Sequence, residues 1–134
     1  MMQKGNMVKR TPLKRTPMKR RPRRGGAMPQ QVYILVMDRA RGRCEAGLKG
    51  CTGAPEEWHH RQRRQRNNDV VSNGAALCHA CHHHITHESP QAGRELGLIV
   101  HSHHPNPAEV PMCVRGVWVL LNEDGTTTRT EVRP

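Results

Sequence analysis

Hydrophobic positions in this chain come in short groups divided by polar, turn-rich stretches, and the first sustained group follows Pro29. Val32, Leu35, Val36 and Arg39 recur there at helical spacing, with Tyr33, Ile34 and Met37 beside them. This pattern predicts a packing helix over about 29–41, opened by Pro29 and ended by Gly42. Gly47, Gly50, Gly53 and Pro55 make residues 43–55 a turn region, and residues 56–60 read as a short strand ending in His59-His60. A polar loop over 61–72 leads to the turn signal Asn73-Gly74 and the apolar Ala75-Ala76-Leu77. A helix is expected from near His79 to about Glu88. Ser89-Pro90 caps and opens another, which Gly97 ends. Residues 98–100 are a strand candidate and 101–111 a loop. Val114 and residues 117–121, a turn at Asn122-Glu123-Asp124-Gly125 and a strand over 126–132 predict a C-terminal hairpin within 112–133.

These elements give an α+β domain over 29–134, preceded by a segment, 1–28, of different character. Within that segment the unit Arg10-Thr11-Pro12-Leu13-Lys14 recurs loosely as Arg15-Thr16-Pro17-Met18-Lys19 and Arg20-Arg21-Pro22-Arg23-Arg24. Proline at every fifth position blocks helix and like charges repel, so a disordered basic arm is expected, closed by Gly25-Gly26. Residues 1–26 hold ten Lys and Arg and no acid. The remaining 108 residues hold twelve against eleven acids, so the net charge of +11 resides almost wholly in the arm. A polyanion is the expected partner, with Lys14, Arg15, Lys19, Arg20 and Arg21 among the cations that would neutralise phosphates. A solubilising or localisation tail is the plainer alternative.

Only 34% of the 134 residues are hydrophobic, and the aromatics are Tyr33, Trp58 and Trp118 alone, without Phe. Such a chain cannot fill a large core with bulky side chains, and a staple is expected. No apolar run is long enough for a membrane-spanning helix, and the basic start lacks the apolar stretch of a secretory signal. Cytoplasmic residence and no membrane partner are expected. Five Cys in that setting point to metal more than to disulfides. Cys44-x6-Cys51 and Cys78-x2-Cys81, separated by 26 residues, offer four thiolates for a closed tetrahedral structural zinc site. Cys113 has no place in this set and reads as a small apolar residue in a strand.

The histidines add a second constellation. His59 and His60 end the predicted strand, Asn73 follows thirteen residues after His60, and His82 stands directly after Cys81, nine residues beyond Asn73. The blocks Trp58-His59-His60-Arg61 and Ser72-Asn73-Gly74-Ala75-Ala76-Leu77-Cys78-His79-Ala80-Cys81-His82 resemble the HNH endonuclease family, in particular its zinc-containing branch. With the first cysteine pair, the match covers about 44–88. The C-terminal hairpin, the strand over 97–100 and the Thr-Pro-Leu-Lys-Arg-type arm look like those of small phage-encoded HNH proteins.

That resemblance implies a zinc-stapled ββα-metal (His-Me finger) fold, a hairpin packed on a helix around one divalent ion. It also implies hydrolysis of DNA phosphodiester bonds to 5′-phosphate and 3′-hydroxyl ends, with an accessory role beside phage terminase in DNA packaging. His60 would be the general base, Asn73 would hold the loop and orient that imidazole, and His59 would be a metal ligand where many relatives carry Asp. His82 would be the second ligand. His83 or His87, which share a helix face, remain open as further ligands, and Glu88 as a carboxylate donor. The chemistry agrees: a neutral imidazole is an apt base near neutral pH, and a divalent ion stabilises the developing charge. Imidazole donors suit Mn²⁺, Ni²⁺ or Zn²⁺ better than Mg²⁺ as the catalytic ion.

Plainer readings stand beside these. His59 and His60 could pair with Cys78 and Cys81 around zinc, and Asn73 could be a turn residue only. His101, His103 and His104 read as solvated loop residues, and Trp58 as core. Arg61, Arg63, Arg64 and Arg66 are candidate phosphate contacts or a solvated loop. For the whole chain, a non-catalytic zinc-stapled nucleic-acid-binding module is the alternative. No interleaved aromatic platform favours RNA.

Overall fold

In the computed structural model, which describes residues 27–134, Pro29 caps helix α1, Gln30–Ala40, one position earlier than its expected role as first helical residue. Residues 1–26, with the arm cations Lys14, Arg15, Lys19, Arg20 and Arg21, lie outside the described residues. Arg41 and Gly42, at φ 52° and 73°, end α1 in left-handed turns. Val36 and Ala40 pack on Val71 and Ala76, with Trp58 alongside. Arg39 is not a neutral packing position. Its guanidinium forks onto Glu45, 2.9 and 2.7 Å away, and reaches the Gly74 carbonyl at 2.6 Å. Glu45 in turn accepts from the Ala76 amide at 2.9 Å, so this buried pair ties the helix to the sheet with three hydrogen bonds on the carboxylate.

Two strands carry the chemistry-bearing residues. β1, Glu57–His60, pairs antiparallel with β2, Gly74–Leu77, setting His59 opposite Ala75 and His60 opposite Gly74. Both are short, and alternation sends Glu57 and His59 to one face, Trp58 and His60 to the other. Trp58 packs on the α1 side of the core, as expected, and leaves room for nothing but glycine at position 74, diagonally across the strand pair. A Cβ on Gly74 would lie 2.2 Å from its indole ring. Asn73-Gly74 is not an isolated turn: a 3₁₀ turn, Val71–Asn73, runs straight into β2.

Helix α2, His79–His83, follows β2 and packs on β1, giving a strand–strand–helix order. The single helix expected to about Glu88 instead changes character at His84–Glu88, a π-helical turn closed by the Ser89 amide on the His84 carbonyl. Thr86 Oγ1 bonding back to the His82 carbonyl at 2.7 Å helps loosen the regular ladder. Helix α3, Pro90–Glu95, is capped by Ser89 as the sequence indicates.

Residues 98–100 do not form the expected strand. Val100 makes one parallel bridge with Gln62, because β1 has already ended at His60 and offers no further rungs. At the C-terminus the expected hairpin is a three-stranded meander: β3 Met112–Val114, β4 Val117–Leu121 and β5 Thr127–Arg129. Arg115 and Gly116, at φ 45° and 85°, form the tight turn between β3 and β4.

The main core holds Leu77, Ile85, Leu98, Met112 and Leu121, each worth roughly 1.5–3 kcal/mol of burial. Among the described residues no Phe, Tyr or Trp belongs to it, and Cys44, Cys78 and Cys81 are buried within it. Cys113 is buried in β3, as expected.

Candidate functional site

Four thiols converge beside the strand–strand–helix unit. Cys44 and Cys51 come from the glycine-rich turns, Cys78 caps α2, and Cys81 lies one turn into it; their sulfurs all lie within 4.8 Å of one another. The Cys51–Cys78 Sγ separation is 3.7 Å, too long for a disulfide. It matches the spacing of about 3.8 Å that tetrahedral geometry requires at a zinc–sulfur distance of about 2.3 Å. Backbone amides converge on the sulfurs: Cys78 N on Cys44 at 3.3 Å, Cys81 N on Cys78 at 3.4 Å and Gly53 N on Cys51 at 3.4 Å. Burial pushes the Cys78 thiol up, but donors from Cys81 and Thr52 prevail and bring it down to about 6. Burial pushes the Cys81 thiol up, and the Cys78 and Cys44 sulfurs add to that, a crowding of negative charge that a divalent ion relieves. This donor set could hold a metal such as zinc. The alternative pairing of His59 and His60 with Cys78 and Cys81 is excluded, since neither imidazole enters the cluster.

On the α2-facing side of β1, His59 and His82 meet edge to face with ring centroids 4.9 Å apart. His59 is buried, and its Nε2–H donates to the Leu98 carbonyl at 2.8 Å, which leaves the Nδ1 lone pair uncommitted. Burial pulls its pKa down to about 4, so the ring is neutral near neutral pH. His82 directs Nδ1 at Glu57, leaving Nε2 for another partner. Two imidazoles, each with one nitrogen anchored to an oxygen acceptor and one free, match the way proteins orient histidines toward a metal. Imidazoles sharing an ion at about 2.1 Å place their centroids about 5 Å apart, close to the separation here.

His60, the expected general base, does not lie beside these two rings. Strand alternation places it on the opposite face, where it meets Trp58 edge to face with centroids 4.6 Å apart and hydrogen-bonds Asp69 Oδ1 through Nε2 at 2.8 Å. Burial raises the Asp69 pKa, but His60 and Arg64 outweigh it and hold the carboxyl below its usual range. The carboxylate therefore accepts from Nε2–H and Nδ1 of His60 is the free nitrogen. Asn73 is fully buried and closes the 61–73 loop. Its side chain accepts from the Gln62 amide at 2.7 Å and donates to the Gln62 and Asn68 carbonyls at 3.1 and 3.0 Å. Its own carbonyl takes the Arg61 amide at 2.8 Å, which fixes the backbone just beyond His60.

Arg61 is the second correction: it is not a phosphate contact. Buried to 1% exposure, it donates all five N–H groups to carbonyls. Nε goes to Gly97 at 2.7 Å, Nη1 to Ser72 and Pro107 at 2.8 and 3.2 Å, and Nη2 to Val110 and Pro111 at 2.7 and 3.5 Å. Burial lowers its pKa to about 9, which keeps it charged at neutrality. Arg63 and Arg66 remain exposed, and Arg64 is exposed with a bond to Asp69 Oδ2 at 3.1 Å.

His83 and His87 do share a face, but their ring contacts are with each other and with His79, not with His59. Glu88 pairs with His84 at 2.8 Å and so is not a donor to the His59–His82 pair. His101 and His103 are exposed in their loop, and His104 is partly so. Sequence reasoning missed Glu57 and Asp69, the carboxylates that orient His82 and His60. It also missed Glu123, which caps the 3₁₀ turn through the Val71 and Ser72 amides at 3.0 and 3.2 Å. Glu57 was legible in principle, because strand alternation puts it on the His59 face.

Comparison with protein-family models, curated proteins and solved structures returns no match for this chain. Among the described residues, no helix is long and apolar enough to cross a membrane.

Proposed function

We propose that the protein is a metal-dependent endonuclease of HNH type, with a structural zinc on the four cysteines and a separate hydrolytic ion at His59 and His82. The observation that carries this reading is the pair of rings 4.9 Å apart, one on the strand that ends at His60 and one on α2, with one nitrogen of each held by Leu98 or Glu57. A divalent ion bound there supplies charge stabilisation for the phosphoryl centre and the leaving oxygen. In this reading His60 keeps the base role that the HNH resemblance implies, from the face of β1 opposite His59 and His82, and Asp69 at 2.8 Å holds the tautomer that leaves its Nδ1 free to accept a proton. Asn73 keeps the strand end and loop rigid, and Glu57 orients His82. Arg63, Arg64 and Arg66 with the basic arm hold the DNA backbone and read little sequence.

Nicking of supercoiled plasmid across Mg²⁺, Mn²⁺, Ni²⁺ and Zn²⁺, with an EDTA control, tests this. The wild type nicks with one of these ions, and His59→Ala and His60→Ala abolish it while retaining fold and DNA binding. Equal nicking by His60→Ala removes the base assignment. A second reading, a non-catalytic zinc-stapled nucleic-acid-binding module, is favoured by His60 lying on the strand face opposite His59 and His82. That reading requires DNA binding by the wild type with no nicking under any of the four ions.

A further inference from the structure

The most conspicuous chemistry left over lies on the outer face of the helix that bears His82. His79, His83 and His87 recur four residues apart, with centroids 6.3 Å apart for the first pair and 5.0 Å for the second. Among the described residues, no hydrogen bond reaches a ring nitrogen of His83 or His87. Glu88 holds one carboxylate oxygen 2.8 Å from His84 Nδ1 and the other 3.6 Å from His83 Nε2, so the second oxygen is the one open to an ion. A merely solvated face gains nothing from this composition, because His favours helix less than the Lys, Glu or Gln that usually cover such surfaces. Lys49 lines a shallow hollow together with His79, His83, His84 and Glu88, so its charge lies on the same side as His83 and is offset there by the Glu88 carboxylate. Of the three rings, His83 and His87 are the closer pair, and His79 is already committed to Glu57 through Nδ1.

We propose that His83 and His87, with Glu88 as third donor, form a surface site for a divalent transition ion, separate from the cysteine cluster and from the His59–His82 pair. Two imidazole nitrogens on one ion stand about 3.3 Å apart. Rings whose centroids are 5.0 Å apart on exposed side chains reach that spacing by rotation about their own bonds. Imidazole and carboxylate select Zn²⁺ or Ni²⁺ over Mg²⁺ or Ca²⁺. The two histidines belong to different turns, His83 to the last position of α2 and His87 to the π-helical turn. An ion joining them clamps the irregular segment next to His82. The site stands whether or not the protein is a nuclease.

The test uses the full chain with its cysteine site loaded with zinc, titrated with Ni²⁺ by calorimetry near neutral pH. The wild type takes up one more equivalent of Ni²⁺ than His83→Ala/His87→Ala, whereas His101→Ala/His103→Ala keeps that equivalent. Ni²⁺ raises the melting temperature of the wild type and of the loop variant, and not that of the helix variant. His87→Gln, which keeps a good helix former, serves as a second variant and loses the same equivalent. Equal stoichiometry in wild type and helix variants overturns the proposal, as does a loss that follows the 101/103 pair or His59→Ala instead.

Discussion

Arg61 and Arg63 are two residues apart in one basic stretch, and nothing local distinguishes them. One is locked inside five carbonyls from three segments, and the other faces water. Arg61→Met leaves those carbonyls buried without donors and is expected to cost at least about 3 kcal/mol in urea denaturation. Arg63→Ala is expected to change stability by less than about 0.5 kcal/mol while weakening DNA binding. A comparable loss in both variants would contradict the burial of Arg61. The orienting carboxylates make a second contrast at this scale. Glu57→Gln removes the negative charge beside His82 and is expected to lower nicking, or affinity for the hydrolytic ion, by about 10–100-fold with the melting temperature little changed. Undiminished nicking in that variant would show that Glu57 does not orient a ligand.

Elements in this protein are short, and their ends are set by contacts rather than by propensity. Gly97 marks the end of α3 in the sequence, as expected, yet its importance comes from elsewhere. It sits at φ 69°, and a Cβ there would lie 1.9 Å from the Pro111 carbonyl oxygen. Gly97→Ala is therefore expected to destabilise by more than about 1 kcal/mol, read as a lowered denaturation midpoint with unchanged slope. The helix starting at His79 was legible from the Cys-x2-Cys pair and the capping position. The π-helical turn was not, since it depends on Thr86 and Ser89 competing for backbone carbonyls. The same holds for 98–100, whose apolar run suggests strand but whose neighbour ends too soon to pair with it.

At the scale of the molecule, the described residues hold a core without aromatic rings in its main cluster, braced by four thiols. Zinc removal by a strong chelator is expected to withdraw on the order of 10 kcal/mol. That is comparable with the whole stability of a small domain. Far-UV circular dichroism should show unfolding on chelation, and Cys78→Ser should behave likewise. A chelated protein that keeps its melting transition would argue that the sulfurs bind no structural metal. The arm supplies ten of the 22 cations. Deleting residues 1–24 is expected to weaken DNA binding and to flatten its dependence on salt. The logarithmic slope should fall by about 0.9 for every phosphate that the arm neutralises in the full chain. An unchanged slope would mean the arm touches no phosphate.

By itself, the sequence determined what depends on residue type and spacing: the α+β composition, most element positions, the four-cysteine set and the segregation of charge. Cysteine chemistry is specific enough, and the apolar supply poor enough, that few other staples are open to such a chain. Tertiary structure decided which face each strand residue takes and which of several identical side chains is buried. It separated His60 from His59, gave it Asp69, joined His59 to His82, and turned Arg61 inward. Those outcomes rest on β1 pairing across a long loop and on carbonyls many residues away, partners that proximity along the chain does not reveal.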